Sequence, residues 1–266
     1  MIKKRLLWSL LYFFISECFA ARVIIIVHGT WAQKEQWFMP NGSFYQALQS
    51  VIDTTDTVIV PFLWPGGLGH DDRMHGAYAL AELIKSYHAE VEIIVIAHSH
   101  GSNVVLLASQ ILATEEKYYG RIKSLFTLGV PVYKDKYYPD MRVINALYNL
   151  FSFEDGIQTV FGSADRKFES HSCIANLCVT IEGFQPSHSL LHSDIIARWI
   201  LHIPSLLTPH KKGHQGMIHF SKTEFPYYEK KDFWRIYLDD ALYKSVTFEQ
   251  KRYSGELVVL HDPKCH

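Results

Sequence analysis

Residues 23–27 read Val23-Ile24-Ile25-Ile26-Val27, five β-branched side chains with no polar residue among them. A strand with one face in water alternates apolar and polar residues, so an unbroken run belongs to a strand covered on both faces. Comparable runs lie at 57–62, 91–97, 124–128, 146–152 and 177–181. Between them, 44–52, 77–87 and 103–113 carry helical spacing, with Leu106, Leu107, Gln110 and Ile111 as neighbours at i, i+3 and i+4. Strand and helix alternate. The pattern predicts an α/β fold with a mostly parallel central sheet flanked by helices, and excludes a sandwich or a helical bundle.

The texture changes after about residue 205, where Lys, His and Tyr accompany short alternating stretches at 235–238, 245–249 and 256–260. These predict a small β-rich C-terminal appendage, 205–266, after an α/β domain at 22–204. No Pro/Gly/Ser linker separates the two, so packing on the main sheet and a separate module both remain open. Residues 1–21 have the layout of a secretory signal: Met1-Ile2-Lys3-Lys4-Arg5, an apolar stretch 6–15, then Ser16 to Ala21. The apolar part falls short of the roughly 20 residues that span a bilayer, and Glu17 ends it. Export with cleavage near Ala20 or Ala21 is expected, an uncleaved membrane anchor being the alternative. Glu17 makes a poor lipidation site of Cys18. Cleavage leaves Cys173, Cys178 and Cys265; Cys173 and Cys178 either close a small loop or stay ordinary thiols. With 26 Lys+Arg against 27 Asp+Glu, the chain lacks the basic excess that neutralises phosphates, which excludes nucleic acid as a partner. A protein partner is undefined by the sequence.

The chemistry concentrates in Ala97-His98-Ser99-His100-Gly101-Ser102, between the run 91–97 and the helical segment after it. A serine on a sharp strand-to-helix turn projects its Oγ from the sheet's edge, and such a turn admits only small residues two before and two after it. Ala97 and Gly101 are those residues. The amide of His100 then stands at a helix N-terminus, where developing negative charge is favoured.

These residues resemble the nucleophile elbow, G-x-S-x-G, of the α/β-hydrolase superfamily and its lipase/esterase-like serine hydrolases, with Ala97 in the first position. Val27-His28-Gly29-Thr30-Trp31 resembles the superfamily's oxyanion loop, which implies that the amide of Thr30 or Trp31 joins that of His100, while His28 steadies the turn. The family order Ser, acid, His implies an acid at the end of 149–157, Asp155 with Glu154 as runner-up, and Asp165 further on as a distant third. It implies a base in the loop after 177–181: His188, with His192 as runner-up. His98 and His100 flank Ser99 too closely to serve. Trp64-Pro65-Gly66, continuing to Arg73, resembles a W-[SP]-G…R loop of the same superfamily. Trp64, Arg73 and Tyr133 are expected at the substrate, with 131–142, which also holds Tyr137 and Tyr138, as a short lid.

His210, His214 and His219 have spacings loosely like metal ligands, but no Cys or carboxylate accompanies them in a fixed pattern. No metal and no cofactor is expected. The resemblance implies an exported hydrolase of a small-molecule or lipid carboxylic ester, with membrane-surface contact left open. Amide or thioester hydrolysis, acyl transfer, and a non-catalytic binding protein are the alternatives. The sheet is expected to be reduced at its N-terminal edge, since no sequence remains for the family's first antiparallel strands, and the appendage is expected to cover that edge.

Overall fold

The computed structural model describes residues 21–133, 135–157, 166–207, 214–224, 232–240, 243–251 and 257–261. The leader before Ala21, Asp165, His210 and Cys265 lie outside the described residues. The first strand, β1 (Arg22–Val27), is second from one edge of the parallel set, hydrogen-bonded to edge strand β2 (Thr57–Phe62) on one side and to β3 (Glu92–His98) on the other. Because side chains alternate across a strand, its run of β-branched residues feeds two cores. Val23, Ile25 and Val27 pack with α2 (His70–Ser86) and α3 (His100–Leu112); Ile24 and Ile26 pack with α1 (Ser43–Gln49) and α4 (Asp194–Trp199). Both faces are covered by helices, which is why no polar residue interrupts the run.

The sheet continues through β4 (Ile122–Leu128), β5 (Leu147–Phe151), β6 (Ile174–Ile181) and β7 (His214–Glu224), all parallel. Three antiparallel strands then extend it: β8 (Asp232–Asp240), β9 (Tyr243–Lys251) and β10 (Leu257–His261). The spatial order is β10-β9-β8-β7-β6-β5-β4-β3-β1-β2. The C-terminal strands therefore join the main sheet beyond β6, and the expectation that they cover the opposite edge, at β2, is corrected. The connection from β6 through α4 returns the chain beside β6, as a crossover between neighbouring parallel strands does.

Two local expectations also change. Helix α2 begins at His70, so Arg73 sits in its first helical turn and not in a loop. That turn, His70-Asp71-Asp72-Arg73, lacks apolar periodicity; its two aspartates instead complement the positive end of the helix. Cys173 is exposed, Cys178 is buried, and both are free thiols, so no loop is closed between them.

Candidate active site

Ser99 is the single residue between β3 and α3, with φ 53° and ψ −134°. A non-glycine residue with positive φ costs about 1–3 kcal/mol and persists only where the surroundings enforce it. Here the Ser99 amide donates to the Leu128 carbonyl at 2.8 Å, and the Ser102 amide donates to the Ser99 carbonyl at 3.0 Å. Ser102 Oγ donates to the Ala97 carbonyl at 2.9 Å. A Cβ on Gly101 would lie 2.2 Å from the His28 carbonyl oxygen, and one on Gly29 would lie 3.0 Å from Ser99 Cβ. The small residues around the serine are thus imposed by backbone packing against the β1 loop.

Beyond the ends of β5 and β6, two loops meet. His188 Nδ1–H donates to Asp155 Oδ2 at 2.7 Å, the carboxylate being fully buried and the imidazole side chain 18% exposed. Asp155 Oδ1 accepts the Ile157 amide at 3.0 Å. Glu154 is exposed, so of the acidic pair only Asp155 reaches the imidazole. His192 instead stacks on Trp37, ring centroids 4.3 Å apart, and burial pushes its pKa down to about 4. Asp155 and His188 are brought together, and His192 belongs to the packing.

Gly129 was not singled out in the sequence. It has φ +63°, and a Cβ there would lie 2.9 Å from Asp155 Oδ2 and 3.1 Å from His188 Nδ1. It follows Leu128, the acceptor of the Ser99 amide, so the serine corner and the Asp155–His188 pair flank the same end of β4. The only sequence signal is a glycine directly after a buried strand. His98 is a second omission. Its Nε2–H donates to the His188 carbonyl at 3.1 Å, and its ring lies 4.5 Å from that of His188 and 4.6 Å from that of His192. Burial first, then the neighbouring His192 and His188, hold its pKa well below the ordinary value. Ser99 Oγ makes no hydrogen bond among the described residues.

On the oxyanion side, His100 opens α3, and the first N–H groups of a helix have no intrahelical acceptor. Trp31 is corrected as a donor: its amide is committed to the Gly66 carbonyl at 2.8 Å, in a turn with φ 57°. Thr30 remains. His28 behaves as a turn residue, its Nδ1–H donating to the Gly29 carbonyl at 2.8 Å while Nε2 accepts the Trp64 amide at 3.3 Å. Trp64 returns the bond, its indole N–H donating to the His28 carbonyl at 2.8 Å. Buried and stacked on His28, Trp64 ties two loops together.

Tyr133 lies half-buried beside His100, ring centroids 6.4 Å apart, and meets Tyr137 edge-on at 5.3 Å. Arg73 Nε–H donates to the Tyr137 hydroxyl at 3.0 Å. The stretch expected as a lid is fastened to α3: the Asp140 amide donates to Ser109 Oγ and Gln110 Nε2 to the Tyr138 carbonyl. With Tyr137 buried, this segment is a fixed wall. Among the described residues no group of His, Cys, Asp and Glu side chains is arranged to hold a metal ion.

No protein-family model and no curated protein sequence matches this chain. Among solved structures it is similar to a metagenomic carboxyl esterase (12% identity, TM-score 0.35, covering 52% of this chain and 51% of that one). It is also similar to Aspergillus fumigatus lipase B (13%, 0.45, 73% and 54%) and to a cutinase-like protein from Cryptococcus sp. (16%, 0.44, 73% and 96%). The chain spans about half the length of the first two. Those likenesses are distant; the molecule itself shows an α/β fold, a parallel sheet flanked by helices, with a strained serine between β3 and α3 and an acid and an imidazole beyond β5 and β6.

Proposed function

We propose that the protein is a serine hydrolase that cleaves a carboxylic ester of a small molecule or a lipid. The observation that carries this reading is the buried Asp155–His188 pair, 2.7 Å apart, at the same end of β4 as a serine held on a strained corner. In this reading Ser99 Oγ attacks the carbonyl carbon while His188 Nε2 takes its proton. Asp155 fixes the tautomer in which Nδ1 carries hydrogen and stabilises the imidazolium. The amides of Thr30 and His100 receive the oxyanion, each such donor being worth about 3–4 kcal/mol. The C–O bond to the alcohol then breaks, the alcohol leaves with the proton from His188, and water repeats the sequence on the acyl-serine.

The test is fluorophosphonate labelling followed by turnover of p-nitrophenyl esters of graded chain length. Labelling at Ser99, lost in Ser99→Ala together with about a millionfold of turnover, is the expected result. Esters cleaved by Ser99→Ala at the wild-type rate would refute it, and a folded protein inert to both reagents would indicate a binding module. Export is part of the proposal. Strand β1 begins at Arg22, and the Ala21 carbonyl already accepts the Glu92 amide, so cleavage after Ala20 removes no described element. N-terminal sequencing of the exported protein checks the cut. Membrane-surface contact is proposed from exposed Trp31, Phe153, Phe184 and Leu190 on the loops around the site.

A further inference from the structure

We infer that Arg73 recognises an anionic substituent, a carboxylate or phosphate, on the ester that Ser99 attacks; this rests on reading Ser99 as the nucleophile. Arg73 is 7% exposed. A guanidinium cannot shed its proton at any ordinary pH, and a buried charge without an opposite partner costs several kcal/mol. Yet no carboxylate pairs with it among the described residues. Asp71 is exposed, and the Asp72 carboxylate turns toward the loop, where it occupies the space a Gly67 Cβ would need. Among the described residues Arg73 keeps one hydrogen bond, Nε–H to the Tyr137 hydroxyl, with Cζ 5.1 Å from that ring's centroid, and its Nη1 is buried with no partner there.

The position sharpens the point. Arg73 stands in the first turn of α2, the positive end of the helix and a poor place for a further cation, and the aspartates of that turn, Asp71 and Asp72, do not pair with it. The side chains lead from it to the nucleophile: Arg73 on Tyr137, Tyr137 against Tyr133, Tyr133 beside His100, and His100 next to Ser99. His100 adds no competing charge. Burial, then the nearby Arg73 and His188, push its pKa down to about 4, and Asn103 Nδ2 donates to its Nδ1 at 3.1 Å.

Two esters of equal chain length and the same leaving group test this, p-nitrophenyl hexanoate and the mono-p-nitrophenyl ester of adipic acid, with inorganic phosphate as competitor of hexanoate hydrolysis. A charge-assisted hydrogen bond predicts a kcat/KM ratio of about tenfold or more in favour of the adipate ester. That ratio falls to about one in Arg73→Met and lies between in Arg73→Lys, and because it is a ratio it does not depend on the folded fraction. Phosphate inhibition without an adipate preference assigns the site to phosphate; the reverse assigns it to carboxylate. A ratio near one together with no phosphate inhibition, or a preference retained in Arg73→Met, overturns the inference while leaving the hydrolase reading intact. If neither ester is cleaved, the hydrolase reading fails separately. Titration of phosphate and of adipate into wild type and Arg73→Met, followed by tryptophan fluorescence, then decides whether Arg73 holds an anion.

Discussion

Burial of neutral histidines around the serine makes the fold sensitive to mild acid. His100 and His192 are each pushed from 6.5 down to about 4, in both cases chiefly by burial, and His98 is depressed in the same direction. A histidine with a lowered native pKa stays neutral in the fold after the unfolded chain has taken up its proton. Stability is therefore complete above the unfolded value of 6.5 and falls as pH drops through the window from 6.5 to about 4. Each unmatched proton costs about 1.4 kcal/mol per pH unit. Between 6.5 and about 4 that comes to about 3 kcal/mol per histidine, a large part of the roughly 5–15 kcal/mol that holds a domain together. Urea unfolding read by tryptophan fluorescence at constant ionic strength, stepped from about pH 7.5 to about pH 5, should show ΔG falling with a slope that approaches about 4 kcal/mol per pH unit for the three groups. Replacing His192 by Phe, which keeps a ring against Trp37, should remove one proton's share of that slope. Stopping near pH 5 keeps the carboxylates with lowered pKa, such as Asp140, out of the measurement. A ΔG that stays flat over this range would refute the claim that these imidazoles are buried uncharged.

Other substitutions probe the neighbours of the Asp155–His188 pair. Gly129→Ala places a methyl 2.9 Å from Asp155 Oδ2 at a φ of +63°, so kcat on a p-nitrophenyl ester should fall about tenfold or more while KM changes little; unchanged kcat in a folded variant would mean the two loops yield freely. His98→Ala removes the donor to the His188 carbonyl and should lower kcat by about tenfold, the value of one hydrogen bond, with His98→Gln restoring part of it and the pH–rate profile moving in step. A purely packing role for His98 would leave that profile where it was. Trp64→Phe deletes the indole donor to the buried His28 carbonyl, which should cost about 1–3 kcal/mol in urea unfolding.

What could be read from the sequence follows from how local each constraint is. The β1 run announces two-sided burial because the alternation of side chains is a property of five consecutive residues, and the two cores confirm it. The serine corner is legible for the same reason: the residues that must be small, Ala97 and Gly101, lie two positions either side of Ser99. The first turn of α2 leaves no mark in the sequence because a polar helix start has no apolar period. The edge chosen by β7 to β10 leaves none because alternation marks a strand without marking its neighbour. Loop contacts are harder still, since they depend on which strand ends stand side by side. Placing β4 between β3 and β5 sets Gly129 against both the Ser99 corner and the Asp155 loop, and the same geometry brings His98 to a carbonyl 90 residues away. Chemistry-bearing side chains can thus be named from their own loops, whereas the groups that hold them in position emerge only from the order of the strands beneath.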